Sequence, residues 1–211
     1  MIVVDLEFSG LNLLKCGIWQ IGAMELENPK NVFFDECRID DDDEISELAL
    51  KVTGKTEAEL RDRAKQGQKQ LLEKFFRWCE KSNSGNFACQ GPQWDMALLV
   101  IKANKYGLKF PMHHRAFDLH SMAQEKYVQL NKKLLFKDNR SDMDLSNVLA
   151  FCGIPDERMQ IKEGKIAKKG NPHNALEDAK MTAECLSRII YGKPLLDEYK
   201  KFKIPEYLKI K

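Results

Sequence analysis

Two acidic residues, Asp5 and Glu7, lie two positions apart in an apolar run, IVVDLEF at 2–8, that reads as a buried strand. Side chains alternate along a strand, so both carboxylates share one face while Val4, Leu6 and Phe8 turn into apolar packing on the other. Carboxylates held that close repel, and desolvation adds to the cost of ionising both. A bound divalent cation removes the penalty; a strand with one wet face tolerates the same acids without one. Asp95 follows Gln90-Gly91-Pro92-Gln93-Trp94 in the first turn of an expected helix, where an acid also serves the helix dipole. Asp178 falls inside a long late helix among Ala175, Ala179 and Ala183, small residues that allow close approach to a sheet; a lone Asp there also reads as solvated. His173 precedes Asp178 by five residues. On one continuous helix the two would sit about 140° apart. They converge only if His173 belongs to the loop before the helix, which Pro172 favours by biasing Asn171 away from helical geometry. By itself such a histidine reads as a capping or surface residue.

The elements that must position these groups follow from pattern. Segments 17–26 (GIWQIGAMEL) and 31–39 (NVFFDECRI) read as two further strands with a turn at Asn28-Pro29, making an antiparallel meander with 2–8. Residues 46 to 81 are helical in pattern with a break at Thr53-Gly54. A short strand at 87–89 leads to a helix over 94–106, and a brief strand at 115–118 to one over 119–127. A helix over 144–152 ends at Gly153, and the longest runs over 174–191, stopped by Gly192 and Pro194. Strands first, then strands alternating with helices, indicate an α/β fold around a mixed sheet. The expected organisation is one domain over 1–192, with a basic tail at 193–211 that packs on it or extends from it.

Composition sets limits. The chain has 211 residues and a net charge of +2, so any basic surface must come from local clusters. Lys162, Lys165, Lys168 and Lys169, in a glycine-containing loop, form one; Lys132, Lys133, Lys137 and Arg140 form another. Each could grip phosphates, and each is equally well a solvated basic segment. The run Asp40-Asp41-Asp42-Asp43-Glu44 lacks the glycine and terminal glutamate of a calcium loop and reads as a solvated turn. No basic leader or membrane-length apolar run is present. The six cysteines form no C-x-x-C pair, so reduced buried thiols in a cytoplasmic protein are expected.

Taken in order, these residues resemble the DEDD exonuclease superfamily in its histidine-bearing DEDDh, or DnaQ-like, branch. The resemblance rests on VVDLEFSGL at 3–11, WDMALL at 94–99, and HNALEDAKMTA at 173–183, which matches H-x-A-x-x-D; QIGAM at 20–24 and VTGKT at 52–56 agree with it. It covers about residues 1–191. It implies a ribonuclease-H-like mixed sheet of about five strands with helices on both faces. Two departures bear on substrate preference: Phe8 stands where the family often has Thr, and Gln90-Gly91 where it often has His-Asn.

The implied chemistry is hydrolysis of phosphodiester bonds at 3′ ends of DNA or RNA, single-stranded rather than duplex, releasing 5′-mononucleotides. Two Mg²⁺ or Mn²⁺ ions about 3.5–4 Å apart serve such a reaction. By resemblance Asp5 bridges both ions, Glu7 and Asp178 complete the site of the attacking water, Asp95 acts on the second ion, and His173 is the general base. Contacts to the terminal nucleotide are expected from Leu6, Phe8, Ser9, Gly10, Leu11, Gln90 and Trp94. Leu11, with Leu13 and Leu14, stands where the family wedges an apolar side chain against bases, although a core role weighs more for all three. A homodimer stays open. The rival reading is a non-catalytic nucleic-acid-binding or scaffold module on the same fold.

Overall fold

In a computed structural model, which describes residues 1–162 and 165–210, the chain begins with β1 (Ile2–Phe8), β2 (Ile18–Glu25) and β3 (Asn28–Glu36). These pair antiparallel, as the meander requires. Two short strands, β4 (Phe87–Cys89) and β5 (Ala116–Asp118), then add in parallel on the other side of β1. The sheet order is β3-β2-β1-β4-β5, which puts the strand carrying Asp5 and Glu7 at its centre. The β2–β3 turn falls at Leu26-Glu27, not at Asn28-Pro29. The Leu26 N–H bonds to the Met1 carbonyl and prolongs pairing to the end of β2, and Pro29 is tolerated because β3 is an edge strand.

Alternation along β1 divides the core in two. Ile2, Val4 and Leu6 face one side, packed with Phe75, Phe76 and Leu72 of α3 (Gln68–Lys81) and Leu98 and Leu99 of α4 (Pro92–Lys105). Val3 faces the other, with residues of α5 (Leu119–Asn131), α6 (Leu145–Phe151) and α7 (Ala175–Tyr191). Helices therefore cover both faces. The expected helical stretch after residue 46 breaks into α1 (Glu47–Thr53), α2 (Glu57–Leu60) and α3. Gly54 closes α1 at φ 67°, and Thr56 with Glu59 forms a capping box that opens α2.

Two features differ from the pattern-based reading. The basic stretches are hairpins: β6 (Phe136–Lys137) pairs with β7 (Arg140–Ser141), and β8 (Gln160–Lys162) with β9 (Lys165–Lys168). The first turns through Asp138 and Asn139, both at positive φ, the geometry that matches strand twist in a two-residue hairpin. The acidic run is a turn with Asp41, Asp42 and Glu44 exposed, but it is solvated only in part. Asp43 is buried, with Oδ1 2.6 Å from Nζ of buried Lys102 and Oδ2 accepting from Gln68 and from the Asp40 backbone. Asp40 accepts from the Tyr106 hydroxyl and pairs with Lys105. Cations on α4, out of register with any local motif, pin the loop.

A second buried pair, Glu184–Arg188, joins α7 to the chain beyond it. Glu184 Oε2 accepts from the N–H groups of Leu195 and Leu196, and Arg188 donates to the carbonyls of Cys152, Tyr199 and Phe202. Leu195, Tyr199, Phe202 and Leu208 thereby pack into the second core. Every cysteine is a free buried thiol, and no described helix is long and apolar enough to cross a membrane. Removing one partner of a buried ion pair strands the other. Lys102→Met is therefore expected to cost about 3–5 kcal/mol in urea unfolding, and the added Asp43→Asn to recover part of that loss.

Candidate active site

On the α7-facing side of β1, the residue after Val3 is Asp5 and the next is Glu7, so an apolar face becomes an acidic one within a single strand. Cross-strand partners on that face are Gly22 opposite Asp5 and Gln20 opposite Glu7. A methyl group at Gly22 would run into the Ala175 carbonyl carbon and the Leu176 nitrogen. The first turn of α7 therefore rests directly on the β2 backbone, and Gln20 fixes its height by accepting from the Ala175 N–H at 2.7 Å. Asn174 caps the helix, leaving His173 in the preceding loop, the arrangement that Pro172 favours. Ala175, Ala179 and Ala183 are fully buried against the sheet, and Asp178 is brought over β1.

Asp95 arrives from the opposite direction. Pro92 occupies the first turn of α4, and Asp95 accepts from the Leu6 N–H at 3.0 Å. That bond fixes α4 to the backbone between the two acids of β1. Asp5, Glu7, Asp95, Asp178 and His173 all line one cavity of about 380 Å³. Glu7, Asp178 and His173 form its tightest group, with ligand atoms within 4.8 Å of one another. His173 Nε2 donates to the Met159 carbonyl at 3.0 Å, so Nδ1, 3.4 Å from Asp178 Oδ2, is the nitrogen turned toward the acids.

The electrostatics are unfavourable without a counter-charge. Burial first, then repulsion from Asp178, Asp95 and Glu7, holds the Asp5 carboxyl well above the usual range; Glu7 is raised likewise by burial and by Asp178 and Asp95. Burial lifts Asp95 to about 7 against the lowering effect of the Leu6 N–H. Burial also raises Asp178, partly countered by Arg158 and His173. Asp178 Oδ1 is buried with no hydrogen-bond partner among the described residues. Clustered hard oxygen donors, one of them orphaned, fit a divalent cation of the Mg²⁺ or Mn²⁺ kind.

Of the expected substrate contacts, Leu6, Phe8, Gly10, Leu11, Gln90 and Trp94 line the same cavity. Ser9 does not: it is buried, donates to the Glu44 carbonyl and accepts from the Gly17 N–H, and so ties β1 to the following loop. The core reading fails for Leu11 and Leu14, which are 63% and 81% exposed, while Leu13 packs on the first core. The loop from Gly10 to Lys15 is too short to bury them all, and Leu11 is left at the cavity mouth. Gln90 donates to the Met143 carbonyl and leaves Oε1 without a partner in the wall. Sequence reasoning missed the wall built by Leu48, Ala49 and Val52 of α1, and it missed Arg158, which donates to Asp178 at 3.0 Å. The VTGKT segment hinted at the wall; nothing local marked Arg158.

The exonuclease family profile of ribonuclease T type matches residues 2–186, which spans all three acidic motifs. The chain belongs to the exonuclease family. Within it, the motifs at 3–11, 94–99 and 173–183 resemble those of the DEDDh branch, and membership implies a nuclease that depends on divalent metal. Solved exonuclease structures superpose on it. The nuclease domain of 3′hExo, a DEDDh family member bound to rAMP, gives a TM-score of 0.64 at 18% identity, covering 97% of this chain and 95% of that one. E. coli exonuclease I with single-stranded DNA, in a zinc-bound form, gives 0.65 at 15% identity over 88% of this chain and 40% of that one. Cell-death related nuclease 4 gives 0.63 at 15% identity over 92% and 64%. At these identities the likeness is one of fold. No curated protein matches the chain.

Raised carboxyl pKa values carry a sign. A group such as Asp95, lifted from 3.8 to about 7, favours the folded state when protonated, so its contribution is complete below pH 4 and lost as pH rises toward 7. In EDTA the thermal midpoint is expected to fall between pH 5 and pH 8, and Asp95→Asn to remove part of that fall. Added Mn²⁺ should raise the midpoint more at pH 8 than at pH 6, because the cation competes with protons for the same oxygens. Each kcal/mol corresponds to about 2–4 °C for a chain of this size; a Mn²⁺ shift equal at both pH values would contradict the assignment.

Proposed function

We propose that this exonuclease degrades nucleic acid from the 3′ end, releasing 5′-mononucleotides, with Asp5, Glu7, Asp95 and Asp178 holding two divalent cations and His173 acting as base. One observation carries the reading: acids from three separate stretches of chain converge in a single cavity, with one buried carboxylate oxygen unpartnered. The mononucleotide in 3′hExo and the single-stranded DNA in exonuclease I support a strand end as the occupant, and a 3′-end-specific complex with a histone mRNA stem-loop supports the polarity.

Cations bound there supply charge neutralisation on the phosphate and activation of water. The chain's own groups do the remainder. His173 Nδ1, its ring fixed by Met159, takes the proton from the attacking water. Phe8, Leu11 and Trp94 offer apolar surface to the terminal base, and the Gln90 side chain, held by the Met143 carbonyl, completes the wall beside it. Phe8 and Gln90 thus fill, with different chemistry, the positions where the sequence departs from its family.

With 5′-labelled DNA and RNA single strands, a ladder shortening from the 3′ end is expected in Mg²⁺ or Mn²⁺, absent in EDTA and reduced at least about 10³-fold in Asp178→Asn. Full-rate cleavage in Asp178→Asn would overturn the assignment, and binding with no ladder would favour the scaffold reading.

The β6–β7 hairpin supports a path for the strand leaving the cavity. Phe136 is 60% exposed, and Lys132, Lys133, Lys137 and Arg140 have no ion-pair partner among the described residues. The hairpin leads into Met143, whose carbonyl holds Gln90 of the cavity wall, and into Leu145, which lines the cavity. Each phosphate contact on a single strand contributes about 0.7 to the salt slope. The double variant K137A/R140A is expected to weaken binding of a ten-nucleotide strand and flatten its log K against log salt slope by about 1.4. An unchanged slope would place the strand elsewhere.

A further inference from the structure

Asp178 Oδ2 accepts from Arg158 Nη1 at 3.0 Å, and both residues are buried. The same guanidinium is gripped from behind. Its Nε and Nη2 bond to the two oxygens of Asp156 at 3.0 and 3.1 Å, a bidentate pairing that fixes the plane of the fork. Asp156 is held in turn by the Ser146 hydroxyl of α6 at 2.6 Å and by the Arg158 N–H at 2.9 Å. Burial pushes the Asp156 carboxyl up, but these donors more than offset it and hold it below the usual range. A chain of hydrogen bonds therefore runs from α6 through Asp156 and Arg158 to Asp178 on α7.

Two consequences follow from the geometry. First, Asp156 takes two of the arginine's donors and fixes its plane, so Arg158 meets Asp178 with its charge and with one directed N–H. Second, it takes only Oδ2 and leaves Oδ1 as the buried orphan. The next residue, Met159, gives its carbonyl to His173 Nε2, and its own N–H bonds to the Asn171 carbonyl at 2.7 Å. Opposite this stretch a methyl group at Gly170 would strike the Glu157 and Arg158 backbones, so the two strands of this brace lie in close contact.

We propose that Arg158 is a positioning residue of the active site: locked by Asp156, it turns Asp178 so that Oδ1 faces the cation, while the adjoining Met159 carbonyl sets the His173 ring. This rests on the function proposed above and adds to it a brace that acts through Asp178 from the wall of the same cavity. Groups of this kind behind metal ligands are typically worth 10- to 100-fold in metal affinity.

Titration of the full chain with Mn²⁺ alone, free Mn²⁺ being read by electron paramagnetic resonance, tests it without turnover. R158M is expected to weaken Mn²⁺ binding about tenfold or more, and R158K to recover part of the loss by restoring one donor. D156N is expected to weaken binding too, by a smaller factor, although Asp156 reaches no ligand position. If R158M does not fold, R158K and D156N carry the same test. Unchanged affinity in the Arg158 variants overturns the inference, and tighter binding overturns it by making Arg158 a competitor for Asp178. Wild type that binds no Mn²⁺ overturns this inference and the proposed function together, whereas wild-type binding lost in Asp178→Asn but unaltered in R158M, R158K and D156N removes this inference alone.

Discussion

The approach of α7 to the backbone of β2 at Gly22 is the constraint on which the site depends. A helix normally keeps its distance from a sheet because side chains on both intervene. Here the strand offers no Cβ and the helix offers alanines, so its first turn contacts the strand directly. Only at that separation can a carboxylate on a helix share a cavity with two on a strand. Gln20, one pleat away on the same face, converts proximity into position by holding the Ala175 N–H. Helix dipole and strand acids then meet at one point: the positive end of α7 is directed at the region where Asp5 and Glu7 crowd together.

The balance of forces in the cavity is deliberately poor for a protein alone. Four acids share it, burial raises all of them, and the nearest permanent cation is largely committed to Asp156. Their surroundings would be better satisfied by apolar residues if stability were the only demand. Strain of this kind at a cavity wall is what a cation-binding function requires, since affinity comes from relieving it.

The sequence made much of this legible, for identifiable reasons. Asp5 and Glu7 declared a shared face because strand alternation is strict, and a loop position for His173 was favoured because Pro172 biases Asn171 away from helical geometry. The ordered motifs led to the fold and its five-stranded sheet. What stayed hidden was set by contacts between distant residues. Nothing near Asp43 announces Lys102, 59 positions later, so one residue of a charged run read as solvated is instead pinned in the interior. Arg158 lies 20 positions before Asp178 in a stretch with no motif of its own. Ser9 fell on the wrong side because its neighbours in the first motif line the cavity, while its own hydroxyl is consumed by Glu44 and Gly17. The hairpins were missed because strands of two to four residues leave no periodicity to read.

The pair Glu184–Arg188 has a consequence for how the molecule opens. Apart from one bond to the Cys152 carbonyl, its remaining hydrogen bonds go to backbone groups of residues 195–202, so that segment cannot lift away without uncovering two charges from an interior site. Release of those residues and fraying of the last turns of α7 are therefore a single event, not two. The end of the chain behaves as part of the helix that carries Asp178, and its backbone amides should share that helix's protection from solvent exchange where a loosely attached terminus would have almost none.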